Sequence, residues 1–365
     1  MRARLPLQWL CWQPTPYNNL LFRGLASDSR FDLTVHFIAP VLSSHPWQSV
    51  TSEGFTSRYF KLRCGIDWHL IGRAIGDRRH MFVIAGWHDL TMQLVTAILT
   101  LRRRPFLLWT DTPDMRHRRG WVKAAVRNHW LQWIFSQATR VMGTGCTALA
   151  ALREMGCPEE KLVNLPYLVD LVRFSPALRY TEGTTRVYGS SGRLSHEKGY
   201  DLALEALARA YAGQLDSFKY RLAGIGPEKL RLEQKARQLG IDHRVEFLGW
   251  LEPDHLPDFY ASVDVFLHPA RYEPYGVAVL EAMASGVIVI GSDATGVVVD
   301  RICNGVNGFV HRSDNANDLA SRIEEIRENW DGMQQVRIAA RVAAEDWPAS
   351  RGVELIASIA EQALC

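Results

Sequence analysis

The stretch 271–293, RYEPYGVAVLEAMASGVIVIGSD, constrains the fold of this chain more than any other part of the sequence. It opens with loop residues and continues with helix formers over Val277–Ala284, and Gly286 stands where a helix C-terminal glycine belongs. The apolar run Val287–Ile290 then predicts a short buried strand. This succession of loop, helix and strand is typical of the repeating unit of a parallel α/β sheet.

Two glutamates in this stretch are candidates for ligand contact. Glu281 lies within an apolar run, where a carboxylate is costly unless it is paired or hydrogen-bonded, and ribose hydroxyls are natural donors for it. Glu273 lies at the helix entrance, where free N–H groups and the positive end of the helix dipole suit a diphosphate. Their spacing alone favours a structural role, because many carboxylates pair within proteins.

A basic loop in the middle of the chain changes that balance. After a strand predicted over Arg186–Ser191, the segment GRLSHEKG contributes Arg193 and Lys198, with Gly192 and Gly199 at its ends. Two cations on a glycine-flexed loop before a helix form a clamp for a diphosphate. Arg193 can bind two oxygens at once, while Lys198 acts as a point charge. The loop and the two glutamates together indicate a site for a nucleotide.

The E-x7-E pattern of Glu273 and Glu281, followed by A-M-A-S-G, resembles the retaining glycosyltransferases of family 4, as does the G-R to K-G loop at 192–199. The resemblance is dense from about 186 to 312 and thin before that. It implies the GT-B architecture, an α/β fold with two Rossmann-like domains facing each other across a cleft and a C-terminal helix crossing back to the first domain.

The resemblance also implies the activity. A sugar would move from a nucleotide-diphosphate donor to a glycan or lipid-linked acceptor in polysaccharide or glycoconjugate biosynthesis, with the anomeric configuration retained. No cofactor other than the donor substrate is expected. No D-x-D triplet occurs in the sequence, so a protein-bound metal ion is not expected either. A catalytically inactive scaffold that binds sugar nucleotides, or a sugar-nucleotide epimerase of the same fold, is the alternative.

The same resemblance assigns roles to residues. Glu273 would face the donor sugar, Glu281 would hold ribose, and the cations would meet the charge of the leaving diphosphate. Leu251 follows a predicted strand and would pack on the nucleobase or belong to the core. The predicted catalytic residues are Glu273, Asp111 and Lys198, and the predicted donor-binding residues are Gly192, Arg193, Lys198, Leu251, Tyr275, Gly276, Val277 and Glu281.

The length of 365 residues suits two domains. We expect an acceptor-binding Rossmann-like domain over 1–175, a donor-binding one over 176–345, and a C-terminal helix over 346–365 that packs back on the first domain. A strand predicted over Leu5–Trp12 precedes PTPYNN at 14–19, which has the composition of a loop. Many family members have two glycines there, so this loop is expected to form a turn or to touch an acceptor sugar rather than phosphate.

Asp111 follows a strand predicted over Pro105–Trp109. Ligands bind past the carboxyl ends of strands in open α/β sheets, and many family members have a histidine at this position. Asp111 could therefore orient an acceptor hydroxyl, or take up a proton late in the reaction. The alternative is that Asp111 caps the next helix. His88, beside Trp87, is expected only to pack.

Segment 116–135 interleaves basic residues with tryptophans. This composition suits contact with an anionic membrane, and the alternative is a core-facing helix with solvated charges. No nucleic-acid module accompanies it, so nucleic acid is not an expected partner. The net charge is only +3, and six scattered cysteines form no C-x-x-C pair. No signal sequence or membrane span is visible, which predicts a cytoplasmic protein, and contact through 116–135 would place it at the inner face of the membrane.

Overall fold

The computed structural model describes residues 4–38, 53–76, 79–115, 121–174 and 185–364, with the backbone alone for 121–125 and residue 364. The chain divides into two compact units, the first comprising Met1–Leu168 with Trp347–Cys365 and the second Val169–Asp346. The domain boundary predicted at 175/176 lies seven residues later than this division. The linker around it, 175–184, is outside the described residues.

The first unit is built on a parallel sheet. Its strands are β1 (Leu5–Cys11), β2 (Phe31–Phe37), β3 (Thr56–Tyr59), β4 (Met81–Ala85), β5 (Phe106–Thr110), β6 (Arg140–Gly143) and β7 (Leu162–Asn164). They are ordered β3-β2-β1-β4-β5-β6-β7, and each neighbouring pair is parallel. Its helices up to residue 168 are α1 (Pro16–Ser27), α2 (Trp68–Gly76), α3 (Leu90–Leu101), α4 (Trp121–Gln137) and α5 (Cys146–Glu154).

Strand β4 shows why this sheet is parallel and covered on both faces. All but the last of its five residues are buried. Met81 and Val83 belong to one apolar cluster, while Phe82 and Ile84 belong to another, so the strand alternates between two cores. A strand buried on both faces reads as a continuous apolar run, which is typical of α/β sheets.

The prediction of a loop over 14–19 was wrong, because a helix begins inside it. Thr15 is the N-cap of α1, and its side chain accepts a hydrogen bond of 3.3 Å from the backbone N–H of Asn18. Pro16 occupies the first helical turn, where its fixed φ suits a helix and its missing N–H costs nothing. Asn18 and Asn19 are consequently buried helix residues rather than turn residues.

The second unit repeats the arrangement. Its strands are β8 (Arg186–Ser191), β9 (Phe218–Ala223), β10 (Val245–Gly249), β11 (Val265–His268), β12 (Ile288–Ser292) and β13 (Phe309–His311). Its helices are α6 (Tyr200–Ala210), α7 (Lys229–Gln238), α8 (Leu256–Ala261), α9 (Val277–Ala284), α10 (Gly296–Arg301), α11 (Ala316–Glu328) and α12 (Met333–Glu345). The sheet is parallel with the order β10-β9-β8-β11-β12-β13, so the winding reverses between β8 and β11.

The last helix, α13 (Ala349–Leu364), belongs to the first unit, where it packs against α1. Each helix contributes a glycine to the contact. A Cβ on Gly24 would lie 2.9 Å from Val353 Cγ2, and one on Gly352 would lie 3.0 Å from Leu21 Cδ1. The absence of side chains at these two positions therefore lets the helices approach closely.

Candidate active site

The loops that follow β8 and β11 meet at the carboxyl edge of the second sheet. These two strands are neighbours, although β9 and β10 come between them in the sequence. Such a reversal of winding leaves a crevice beside the carboxyl ends of the strands, which is where ligands bind in open α/β sheets. Loop 192–199 follows β8 and loop 269–276 follows β11, so both predicted motifs reach this point.

Lys198 and Glu273 form an ion pair between these loops. The Lys198 ammonium donates to Glu273 Oε2, and their side chains are 24% and 13% exposed. Burial by itself raises the pKa of Glu273, but the Lys198 charge, the hydrogen bond from Lys198 and a hydrogen bond from the Tyr275 N–H together hold that pKa below its usual value. Glu273 is therefore ionised at neutral pH and presents a carboxylate beside a cation.

His268 is a site residue that sequence reasoning missed. It ends β11 with a 2% exposed side chain, and its Nε2 lies 3.8 Å from Glu273 Oε2. Burial and the nearby Lys198 charge lower the pKa of His268 to about 3. The imidazole is thus neutral next to the Glu273 carboxylate. A polar residue that ends an otherwise apolar strand is a signal that could have identified it.

Arg271 is a second residue that the sequence reading did not assign. Its guanidinium donates to both carboxylate oxygens of Asp201, at 2.7 and 2.9 Å, and to Asp314 at 2.7 Å. It also donates to the His196 carbonyl at 3.0 Å, and its own backbone N–H donates to the Glu197 carbonyl at 2.7 Å. Arg271 therefore ties the loop after β11 to the loop that carries Lys198.

Two glycines let these loops fit together. Gly199 has a φ of +66°, and a Cβ there would lie 2.1 Å from the Pro269 carbonyl oxygen. Gly276 has a φ of +96°, and a Cβ there would lie 2.7 Å from Thr295 Cγ2. A side chain on Gly199 would force the paired loops apart, and one on Gly276 would collide with Thr295 before α10, so both positions require glycine.

The loop after β11 leads directly into α9. Gly276 is the N-cap of this helix, and Val277 is its first residue, with helix N–H groups that have no partner within the helix. The Tyr275 side chain is 1% exposed, and its carbonyl accepts a hydrogen bond of 2.8 Å from the Val297 N–H. The contribution of Tyr275 to this edge of the sheet is therefore made by its backbone.

Glu281 lies on α9 and has a partner within the second unit. The Tyr260 hydroxyl donates to Glu281 Oε2 at 2.9 Å and lies 3.0 Å from Ser191 Oγ at the end of β8. Burial raises the pKa of Glu281 to about 7, despite opposing contributions from Tyr260 and Arg173. The chain itself therefore supplies one hydrogen-bond donor to the carboxylate that was expected to accept hydrogen bonds from ribose.

The remaining predicted donor-binding residues occupy different environments. Arg193 is exposed at the start of the loop after β8, and its side chain makes no hydrogen bond or ion pair among the described residues. Gly192 has a φ of +143°, and a Cβ there would lie 2.8 Å from the Tyr200 hydroxyl. Leu251 is half-buried and follows the edge strand β10, two strands away from β8.

Asp111 follows β5 in the first unit. Its Oδ1 accepts hydrogen bonds from the Thr112 N–H at 2.8 Å and the Thr144 hydroxyl at 2.9 Å, and its Oδ2 accepts one from the Tyr167 hydroxyl at 3.3 Å. None of these donors is an N–H of α4, the helix that follows, which begins at Trp121. These contacts hold the carboxylate at the carboxyl edge of the sheet. His88 lies beside Trp87, with 5.9 Å between the ring centroids.

The basic segment 116–135 is only partly visible. Residues 116–120 lie outside the described residues, and only the backbone is described for 121–125. Further along α4, Leu131, Ile134 and Phe135 are buried in the first unit, while Trp133 is 37% exposed. This part of the helix therefore packs one face against the core.

Within the ranges that the structure describes, no group of three or more His, Cys, Asp or Glu side chains is placed to hold a metal ion. No helix among the same residues combines the length and apolar character that a membrane crossing requires. The five described cysteines are free thiols.

The fold and the paired loops define a class of two-unit α/β proteins, each unit built on a parallel sheet. Residues 180–343 match the family model of glycosyl transferases group 1. The chain is 31% identical over 197 residues to a putative colanic acid biosynthesis glycosyltransferase of Salmonella typhimurium, covering 52% of this chain and 48% of the relative. It is 32% identical over 189 residues to a GDP-mannose-dependent alpha-mannosyltransferase of Corynebacterium glutamicum, covering 50% of this chain and 42% of the relative.

Among solved structures, Anabaena HepE in complex with UDP and glucose superposes with a TM-score of 0.77 at 19% identity, covering 98% of this chain and 100% of HepE. This similarity shows the fold and confirms the predicted GT-B class. The match over 180–343 agrees with the predicted resemblance to the group 1 glycosyl transferases. The chain spans about half the length of these two curated relatives.

Proposed function

We propose that this protein is a metal-independent, retaining glycosyltransferase of family 4 that transfers a sugar from a nucleoside-diphosphate sugar to a glycan or lipid-linked acceptor. The observation that carries the proposal is the Lys198–Glu273 pair at the point where the winding of the second sheet reverses. A cation and a carboxylate held together there suit a donor whose phosphates are anionic and whose sugar becomes cationic as the bond breaks.

Each residue then has a defined part in the reaction. Lys198, Arg193 and the first N–H groups of α9 stabilise the charge that develops on the leaving diphosphate. Glu273, ionised and close to Lys198, faces the sugar and stabilises the oxocarbenium-like transition state. Glu281 accepts hydrogen bonds from ribose, and in its ionised form both of its oxygens act only as acceptors.

The first unit would hold the acceptor. Asp111 is the titratable group of the predicted set in that unit, and Thr144 and Tyr167 fix its carboxylate at the carboxyl edge of the sheet. From there it would orient an acceptor hydroxyl and take up its proton late in the reaction. Contact of segment 116–135 with an anionic membrane would serve a lipid-linked acceptor, in a protein that acts in the cytoplasm or at the inner face of the membrane.

Incubation of the purified full chain with UDP-, GDP- and ADP-sugars tests this function. We expect the sugars of one of these nucleotides to be hydrolysed slowly in water, with release of the nucleoside diphosphate, and to react faster when an acceptor is present. NMR of the product should show an unchanged anomeric configuration. Addition of EDTA should leave the rate unchanged.

Two outcomes would support the alternatives instead. Conversion of a donor to an isomeric sugar nucleotide without release of diphosphate would indicate an epimerase. Binding of a donor in calorimetry without turnover in any acceptor mixture would indicate a scaffold. No detectable binding of any donor would contradict all three functions.

A further inference from the structure

A surface of the first unit, distant in sequence from every predicted site residue, combines exposed apolar side chains with cations. It consists of residues 58–63, which include the end of β3, and the outward face of α2; we call it the α2 surface. Trp68, Leu62 and Ile75 are 57%, 47% and 45% exposed on it. Large apolar side chains at such exposure are costly in water and mark an interaction surface when they occur together.

The charge on the α2 surface has one sign. Arg58, Lys61 and Arg63 are exposed, and none of them forms an ion pair with a carboxylate among the described residues. Asp67 is the single acidic residue in 54–76, and it is 5% exposed. Its carboxylate accepts hydrogen bonds from the backbone N–H groups of Lys61, His69 and Leu70. The one negative charge is therefore directed inward, and the cations remain on the outside.

Some cations of the second unit, in contrast, are paired with carboxylates. On the second unit, Arg221 pairs with Glu246 at 3.0 Å, and Arg231 pairs with Glu228. The α2 surface instead bears Arg73 beside Trp68 along one open groove, and Arg73 donates to the neutral Gln8 Oε1 at 3.1 Å. Gly72 and Gly76 border the same groove, and a Cβ added at either would meet nothing within 4 Å.

We propose that the α2 surface docks on an anionic lipid bilayer. Cations flanking exposed tryptophan, leucine and isoleucine match both parts of such a bilayer, because the headgroups attract the charges and the acyl boundary accepts the apolar side chains. Single-stranded RNA shares the attraction for cations and could stack on Tyr59 and Trp68, but stacking gives no role to the exposed Leu62 and Ile75, which the acyl boundary of a bilayer accepts. The docking surface differs from segment 116–135 and does not depend on the proposed sugar transfer.

Co-sedimentation of the full chain with vesicles tests the inference. Vesicles of phosphatidylcholine alone are compared with vesicles containing 30% phosphatidylglycerol. We expect binding to the anionic vesicles only, and weaker binding at higher salt. Lys61→Gln with Arg63→Gln should weaken binding about 30-fold, since each basic residue near the surface contributes about fivefold. Trp68→Ala should weaken it severalfold at unchanged charge.

Lys219→Gln with Arg237→Gln is the matched control, because it removes the same charge from exposed positions of the second unit. We expect this variant to bind vesicles as the unaltered protein does. All variants should keep the melting temperature and the donor affinity, which separates a docking defect from misfolding and from failure of the proposed function.

Three results would overturn the inference. One is equal binding to neutral and anionic vesicles. Another is unimpaired binding by the Lys61→Gln and Arg63→Gln variant. If Arg119→Glu with Lys123→Glu then abolishes binding, the membrane contact belongs to 116–135. The third is binding of a labelled oligouridylate that depends on Lys61 and Arg63 without any binding to vesicles.

Discussion

The two units use the first loop of their sheets differently. In the first unit, only residues 12–15 separate β1 from α1, and Thr15 and Pro16 start the helix at once. In the second unit, residues 192–199 separate β8 from α6, with positive φ at Gly192 and Gly199. The longer loop has room to present Lys198 to Glu273, whereas the shorter one is absorbed into a helix with buried asparagines.

The charges differ in the same way. At its carboxyl edge, the second unit carries two ion pairs: Lys198 with Glu273 joins two loops, and Arg271 with Asp201 joins a loop to the first turn of α6. In the first unit, the predicted carboxylate Asp111 is held by neutral hydroxyls of Thr144 and Tyr167. A common scaffold therefore carries paired charges at the carboxyl edge of one sheet and a carboxylate held by hydroxyls at that of the other.

The largest expected effect concerns the carboxyl edge of the second sheet, which carries the ion pairs. Glu273→Gln removes the charge beside Lys198 but keeps the shape, so we expect kcat for transfer to fall about 100- to 1000-fold. Steady-state kinetics with saturating donor and acceptor measure this. Glu361→Gln, on the exposed face of α13, is the control and should leave kcat unchanged. A kcat for Glu273→Gln within threefold of the unaltered protein would contradict its role.

The link between the two loops gives the next effect. Arg271→Lys keeps the charge but loses the paired hydrogen bonds to Asp201, so we expect kcat/KM to fall by about tenfold or more. Because the loops would lose their mutual alignment, the KM for the donor should rise more than kcat falls.

Arg209→Lys provides the comparison, since Arg209 also donates to two neighbours, Asn317 and Glu205, but on an exposed helix face. Its kinetics should stay unaltered. If both substitutions lower kcat/KM equally, or if Arg271→Lys has no effect, Arg271 does not position the loops.

Glu281 gives a pH dependence. Its pKa of about 7 means that the carboxylate is lost as pH falls through neutrality. Since the ionised form accepts hydrogen bonds from ribose, donor affinity should fall about five- to tenfold between pH 8 and pH 6. Calorimetry at each pH measures this, and Glu281→Gln should bind weakly and with a flat profile. An equally steep profile in that variant would assign the titration to another group.

The same raised pKa predicts that Glu281 stabilises the folded chain more at low pH than at high pH, whereas donor affinity falls at low pH. The neutral carboxyl is favoured in the folded chain, so its contribution is complete below the ordinary pKa of 4.5 and is lost as pH rises through about 7. The melting temperature of Glu281→Gln, relative to that of the unaltered protein, should therefore be higher at pH 8 than at pH 4. A relative melting temperature that does not depend on pH would argue against the buried carboxyl.

The smallest expected effect concerns the carboxyl edge of the first sheet, where neutral hydroxyls hold Asp111. Asp111→Asn keeps an acceptor oxygen but loses the charge, so we expect the KM for the acceptor to rise about fivefold while donor affinity in calorimetry stays the same. Asp32→Asn, exposed on β2, is the control and should change neither value. Weaker donor binding by Asp111→Asn would remove the contrast between the units.

The sequence predicted local structure well where apolar runs are continuous. Strand Arg186–Ser191 and helix Val277–Ala284 have the predicted bounds, and the strand predicted over Pro105–Trp109 is observed one residue later, at Phe106–Thr110. It did not predict β3, because TSRY is an edge strand with exposed polar residues and no alternation, nor α2, which contains two glycines. Elements stabilised mainly by their neighbours leave little trace in local composition.

The sequence by itself determined the repeating strand and helix units and identified Arg193, Lys198, Glu273 and Glu281, since motif residues and apolar periodicity are local properties. The tertiary structure decided which of these groups meet. Lys198 reaches Glu273 across 75 positions, and Arg271 reaches Asp201 across 70. These contacts exist because the order of strands in a parallel sheet, rather than their order in the chain, brings the loops at their carboxyl ends together.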